Sequence, residues 1–333
     1  MKTRNAFIRR LGQGLTLAFL FAGLSAHAQT ILRLNHTDTP SGTRHRAAEI
    51  FAERVKEFTR GRYQILVFHS GQLGNDPKSI ELVGKGSLDF TISAAGSYAS
   101  IQPTLNLTAL PFLLDSYEHG WRFYDESTWL AEQFATLPSK GLRVLSTWEA
   151  GFRSFTTRDP LPDPTAAKGK SMRIFPNEMV KSTMEAIGFS TQVIGVTDVY
   201  RSIQEGKVVG QENPIDTIYA LRFHEVAPNI TLTQHIYSPL PIVIAEKTWS
   251  AISETDRKSF ERAANIAKDF SRKFVRDTET RQLEEMVASG AKVLRPDVAP
   301  FRAATRVVYE GAKTKFGAQV DAIVQDAAKL RAK

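Results

Sequence analysis

Two arginines sit where an isolated charge is costly. Arg173 lies in Met172-Arg173-Ile174-Phe175, and Arg153 lies in Gly151-Phe152-Arg153-Ser154-Phe155; both stretches read as apolar strands. A cation buried in a sheet needs a partner. A guanidinium presents a planar fork that matches a carboxylate, so the partner is an acid of the chain itself, water at a sheet edge, or an anionic ligand. Two such arginines near strand ends, where open α/β sheets bind ligands, point to capture of a small carboxylate. Asn213, ahead of Pro214, both donates and accepts, which suits a ligand oxygen as well as ordinary turn chemistry. His36-Thr37-Asp38 is a pocket wall or simply a loop. Trp148 beside Glu149 either stacks on a sugar ring or fills the core.

Catalytic patterns do not emerge. The chain has no Gly-x-Ser-x-Gly elbow, phosphate loop, His-Glu-x-x-His or Gly-x-Gly-x-x-Gly. His224 and His235 lack ligand spacing, and His36 and His45 stand nine apart on a loop and a helix. There is no cysteine, which excludes disulfides, thiol nucleophiles and cysteine metal sites. No enzyme activity, cofactor or metal is expected.

The elements that must position these residues alternate. Ile31 to Leu34 reads as a strand, Arg44 to Thr59 as an amphipathic helix, Tyr63 to Phe68 as a strand, and Pro77 to Gly86 as a helix. Leu88 to Ser93 completes a βαβαβ order, which argues for a parallel sheet with helices on its faces. Strands are expected at 142–148, 152–157, 171–175 and 192–194, with helices at 177–187 and 197–206. The unit of helix, glycine and short strand occurs at Glu81 to Phe90 and again at Tyr200 to Gln211, through either two similar lobes or chance. From Ser253 to Ser289 there is neither proline nor glycine. A single helix there spans roughly 50 Å, longer than one small lobe; two helices with an unmarked bend are the alternative.

The first 28 residues read as an export signal. Lys2, Arg4, Arg9 and Arg10 precede an apolar run over Leu11 to Ala22, and Ala26-His27-Ala28 is a small-x-small cleavage site, so the mature chain is expected from Gln29. Four of the formal +8 charges sit in that segment, leaving +4 on a remainder with no lysine-arginine block. That excludes nucleic acid as the expected partner and is compatible with a small anion.

Specific blocks carry a resemblance: "GQLGND" at 71–76, "GSLDF" at 86–90, "LPF" at 110–112, "GFRS" at 151–154, "KGKSMRIFPN" at 168–177, "VYRSIQEGKVVGQENP" at 199–214 and "FHEV" at 223–226. With them the chain resembles the solute-binding proteins of TRAP (tripartite ATP-independent periplasmic) transporters, the DctP family. The resemblance implies an α/β, two-lobed periplasmic-binding-protein fold. Each lobe would be a mainly parallel sheet flanked by helices, with strands crossing the hinge and a long C-terminal helix spanning both. Lobe I would comprise 29–150 plus 239–278, and lobe II 151–238 plus 279–333. It implies Arg173 as the main carboxylate clamp, Arg153 and Asn213 as further cleft contacts, and His36 and Gln72 facing the ligand from the other lobe. With Glu149, Trp148 and Asn177 these supply more polar groups than a bare four-carbon diacid needs.

The "HTDTPSGTRHRAAE" and "WEAGFRSFTT" stretches look most like uronate-binding members. The expected ligand is therefore a hexuronate such as D-glucuronate or D-galacturonate. Another organic acid (a C4-dicarboxylate, keto acid or aldonate) and a periplasmic sugar-acid lyase are the alternatives. The chain departs from the family at Val209, where aspartate is usual, and carries Ala94 where some members that bind large acidic sugars have a carboxylate. A periplasmic monomer that delivers its ligand to the transporter's membrane subunits is expected.

Overall fold

The computed structural model describes residues 29–331; the expected export signal at 1–28 lies outside them. Strands β1 (Thr30–Asn35), β2 (Tyr63–Phe68) and β3 (Phe90–Ile92) alternate with helices α1 (Thr43–Phe58) and α2 (Asp76–Gly84). Helix α1 buries Ala47, Ala48, Phe51 and Val55, a stripe at helical spacing. Helix α2 opens on Asn75, whose side chain accepts from the Lys78 amide, with Pro77 in its first turn. Helices α3 (Tyr117–Glu126) and α4 (Thr128–Ala135) lead to β4 (Leu142–Trp148). Next come β5 (Phe152–Thr157), β6 (Ser171–Ile174), α5 (Glu178–Ile187), β7 (Ser190–Val193), α6 (Val199–Gln204), β8 (Gly210–Pro214) and α7 (Ile215–Ala220). The chain closes with β9 (Asn229–Tyr237), β10 (Leu240–Ala245), α8 (Glu246–Ala251), α9 (Glu254–Ala288), β11 (Lys292–Leu294), α10 (Ala299–Ala304), α11 (Arg306–Phe316) and α12 (Ala318–Lys329).

The strands form two sheets, ordered β2-β1-β3-β10-β4 and β11-β9-β5-β8-β6-β7. Each sheet is the floor of one lobe, so the two-lobed architecture expected from the sequence is the one observed. The chain passes from the first sheet to the second between β4 and β5, through Glu149-Ala150-Gly151. It returns between β9 and β10, through Ser238-Pro239. The sheets are mixed. β1 runs parallel to β2 and β3, and β6 runs parallel to β7 and β8. Every antiparallel pair involves β5 or β10, which adjoin the crossings. A strand that leaves one sheet and another that returns to it run in opposite senses, which gives the mixture.

Helix α9 is unbroken over 35 residues, capped by Ser253, and spans roughly 50 Å. It packs on α1 and β4 of the first lobe and on α7 and β11 of the second. Phe51, Phe90, Trp148 and Phe260 interlock in the first lobe's core; the Phe51 ring meets each of the other three edge-on, at 5.5 to 6.3 Å between centroids. No described helix is long and apolar enough to cross a membrane.

Candidate ligand-binding site

Between the lobes lies a cavity. Its walls come from the carboxyl ends of the parallel strands, as expected where open α/β sheets hold ligands. The first lobe contributes Thr37 and Asp38 after β1, Arg44 from α1, Asp76 from α2, and Ala94 and Ser97 after β3; the second contributes Arg173 and Phe175, Asn213 and Pro214, and Thr217. Arg153 and Ser238 stand near the two crossings.

Arg173 is 3% exposed. Its Nε donates to the Ile194 carbonyl at 2.8 Å, and no carboxylate among the described residues pairs with it. Burial, reinforced by the neighbouring Arg153 charge, pushes its pKa down to about 10, against the pull of Glu212 and Asp76. It stays charged at neutral pH with its outer nitrogens toward the cavity, an arrangement that calls for an anion.

Arg153 is arranged differently. Its Nε and Nη2 grip the Glu212 carboxylate, Nη2 also donates to the Glu212 carbonyl at 2.6 Å, and Nη1 donates to the Ser238 hydroxyl at 3.1 Å. The guanidinium carbon lies 5.0 Å over the Phe175 ring. Burial alone would raise the Glu212 pKa, but Arg153 and His235 hold it down at about 2. The internal ion pair open in the sequence is therefore present, and Arg153 meets the cavity as half of a neutral pair. Asn213 reaches the wall from within β8; its amide nitrogen donates to the Gln211 side chain.

Thr37, Asp38 and Ala94 reach this wall, whereas Trp148, Glu149, His36, Gln72 and Asn177 do not. Trp148 is core, its indole nitrogen donating to the Ala264 carbonyl at 2.9 Å. Glu149 is sealed inside the first crossing, where it accepts from Trp121 Nε1 and the Gly151 amide, both at 2.7 Å, and from the Tyr237 hydroxyl. Burial pushes its carboxyl up to about 7 against these donors. His36 is fully buried, 3.2 Å from His45, and burial holds its pKa well below the ordinary range. Gln72 is exposed on an outer groove with His45, Glu49 and His69. At that turn it is the backbone of Gly71, at φ +68°, that approaches the second lobe, near Thr197. Asn177 caps α5 and donates to the Gly96 carbonyl at 3.0 Å, tying the two lobes together.

Sequence reasoning did not single out Arg44, Asp76 or Ser97, and it left Asp38 as either a pocket wall or a loop. Burial and the nearby Asp216 carboxylate push Asp38 up to about 7, against the opposing pull of Arg44. Gly42 makes room for it: a Cβ there would stand 2.0 Å from the Asp38 carboxylate. The wall thus offers one unpaired cation on the second lobe and a mixed set of acids, hydroxyls and Arg44 on the first. That set suits an anion at one end and oxygen-rich neutral groups at the other.

Comparisons with known proteins point to one family. The family model described as "Bacterial extracellular solute-binding protein, family 7" (DctP) matches residues 34–315. The sialic acid-binding periplasmic protein SiaP of Vibrio cholerae is 26% identical over 298 residues, covering 90% of this chain and 93% of that one. A TRAP periplasmic solute-binding protein from Polaromonas, bound to D-erythronate, superposes with a TM-score of 0.85 at 29% identity, over 89% of this chain and 98% of its own. Another from Chromohalobacter salexigens, with bound D-glucuronate, gives 0.85 at 27% identity, over 90% and 100%. The chain belongs to the DctP family of solute-binding proteins, periplasmic components of TRAP transporters that bind substrate for transport and are not enzymes.

Proposed function

We propose that this protein captures a hydroxylated monocarboxylate, foremost a hexuronate such as D-glucuronate or D-galacturonate, and presents it to TRAP membrane subunits once the lobes have closed. The observation that carries the reading is Arg173, a buried guanidinium on the cavity wall with no acid paired to it among the described residues. In this reading the ligand carboxylate takes the outer nitrogens of Arg173 and draws on Asn213 and on Nη1 of Arg153. Asp38, Asp76, Thr37 and Ser97 face the rest of the ligand. Asp76 and Asp38 on that side favour hydroxyl groups, which donate to them, over a second ligand carboxylate, which the Asp76 charge repels. The glucuronate held by the Chromohalobacter relative fits this pattern.

Glu149, Trp148, His36 and Asn177 support the site from behind the wall, and Gln72 serves the turn that carries Gly71. We assign lobe I to 29–150 with 239–278 and lobe II to 151–238 with 279–333, which puts two boundaries at the strand crossings and the third within α9. One chain carries both walls, so a monomer suffices. No covalent step, cofactor or metal enters the cycle: the ligand bridges the walls and favours the closed form by its differential affinity for it.

A thermal-shift screen over organic acids tests the reading, because a ligand that binds only the native state raises Tm. Uronates are expected to give the largest shifts. A flat response to uronates with a shift for succinate or a keto acid overturns the ligand class.

A further inference from the structure

We infer that Arg44 is the residue with which the first lobe reads the hydroxyl-bearing end of the ligand, and that it sets specificity for long over short acids; this rests on the sugar-acid reading above. Arg44 stands in the first turn of α1, on the same cavity as Arg173 but on the opposite lobe. Its side chain is 10% exposed. Nη1 donates to the Thr37 hydroxyl at 3.0 Å and to the Ile92 carbonyl at 3.4 Å. The Asp76 carboxylate, at 3.9 Å, is outside hydrogen-bond range. Nε is buried and has no partner among the described residues. One side of this guanidinium is thus held in place by the protein, while the Nε side is desolvated with its hydrogen-bonding capacity unused.

A buried, unmatched N–H is costly, and Arg44 lines the cavity, so a ligand oxygen there offsets that cost once the guanidinium turns toward it. The neighbours decide which atom. Asp76 and Asp38 share the wall with Arg44, so a second ligand carboxylate would gain one cation and meet two acids. A hydroxyl gains on both counts: its oxygen accepts from Arg44 and its hydrogen goes to an acid. Arg173 and Arg44 then divide the ligand between the lobes, with the carboxylate on one and the polyol on the other.

The test is calorimetric titration of the unmodified protein, Arg44→Gln and Arg44→Lys with D-glucuronate, D-galacturonate, galactarate and glycolate. Glycolate carries the carboxylate that Arg173 needs but no distal hydroxyls; its weaker binding is read by competition. Arg44→Gln is expected to weaken the uronates by about 10- to 100-fold and glycolate by less than about threefold. Arg44→Lys, which keeps the charge and the stem without the fork, is expected to recover part of the loss and carries the test if the glutamine variant does not fold. Equal losses for uronate and glycolate, as from mere support of the loop through Thr37 and Ile92, overturn the assignment. So does no loss for either, or tighter binding of galactarate than of the uronates to the unmodified protein. If the unmodified protein binds no sugar acid at all, the ligand class itself falls before any variant is compared.

Discussion

Thr43, at the start of α1 in one lobe, donates its hydroxyl to the Asp216 carboxylate on α7 of the other at 2.6 Å. Gln282 of α9 donates to the same oxygen at 2.9 Å. Asp38 is buried close enough that the two carboxylates titrate as a pair, with Arg44 facing both and Glu279 adding a further acid beside Asp216. Burial raises both members of the pair, Asp38 to about 7. If the lobes part, each carboxylate is expected to gain water and return toward its ordinary range.

Closure is then expected to take up protons. A group whose pKa is raised in the closed form favours that form fully below its open-state value, near 4, and loses the advantage as pH rises to about 7. Ligand affinity is expected to fall across this window, by at most about tenfold per pH unit for each proton, and then to level off. Titration calorimetry from pH 5 to 8, in buffers of different ionisation enthalpy, measures the uptake directly. Asp216→Asn should flatten the profile. A pH-independent affinity in the unmodified protein would show that the pair keeps its charge state on closing.

Arg173 makes opposite predictions for binding and for stability. Arg173→Met is expected to remove about 2–5 kcal/mol of ligand affinity. Without ligand the same variant should melt no lower than the parent, because it replaces a buried, unpaired cation with an apolar side chain of similar length. Differential scanning calorimetry with and without uronate separates the two effects. A large loss of apo stability would mean that Arg173 is satisfied by the protein and not by a ligand.

Glu212 should behave in the reverse way. It neutralises Arg153 at the base of the cavity and lies 3.4 Å from His235 Nε2, with all three side chains almost fully buried. Glu212→Gln leaves the Arg153 charge uncompensated and is expected to cost about 3–5 kcal/mol of folding stability, read from the shift in a denaturant midpoint. A change below about 1 kcal/mol would mean that water or the backbone carries Arg153 instead.

The architecture was legible because local signals agree with it: the stripe on α1, Pro77 in the first turn of α2, and the uninterrupted run that became α9. No strand was assigned over 229–245. There β10 is an apolar run of six, buried on both faces, which periodicity cannot tell from a buried helix. At the site, Arg173, Arg153 and Asn213 stood out because a charge or an amide interrupts a strand or precedes a proline, and all three reach the wall. Arg44 and Asp76 did not, since a basic or acidic residue in the first turn of a helix looks like ordinary surface. Only the meeting of two lobes puts them opposite Arg173. The sequence also does not say which way a loop side chain turns, and this put Gln72 on the outer face.

Glu149 is where the sequence reading and the geometry differ most, and a single substitution separates them. Three donors converge on its carboxylate: Trp121 and Tyr237 on one oxygen and the Gly151 amide on the other. Glutamine fills the same space, but its amide has one accepting atom. If that oxygen keeps Trp121 and Tyr237, its NH2 group faces the Gly151 N–H, donor against donor, at the backbone position where the chain crosses between sheets with φ +106°. Glu149→Gln is therefore expected to lower folding stability by about 1–3 kcal/mol, visible as a drop in apo Tm, and to weaken uronates and glycolate by the same factor because it acts on closure alone. If Glu149 instead touched the ligand, apo Tm would hold and the loss would depend on which hydroxyls the ligand carries.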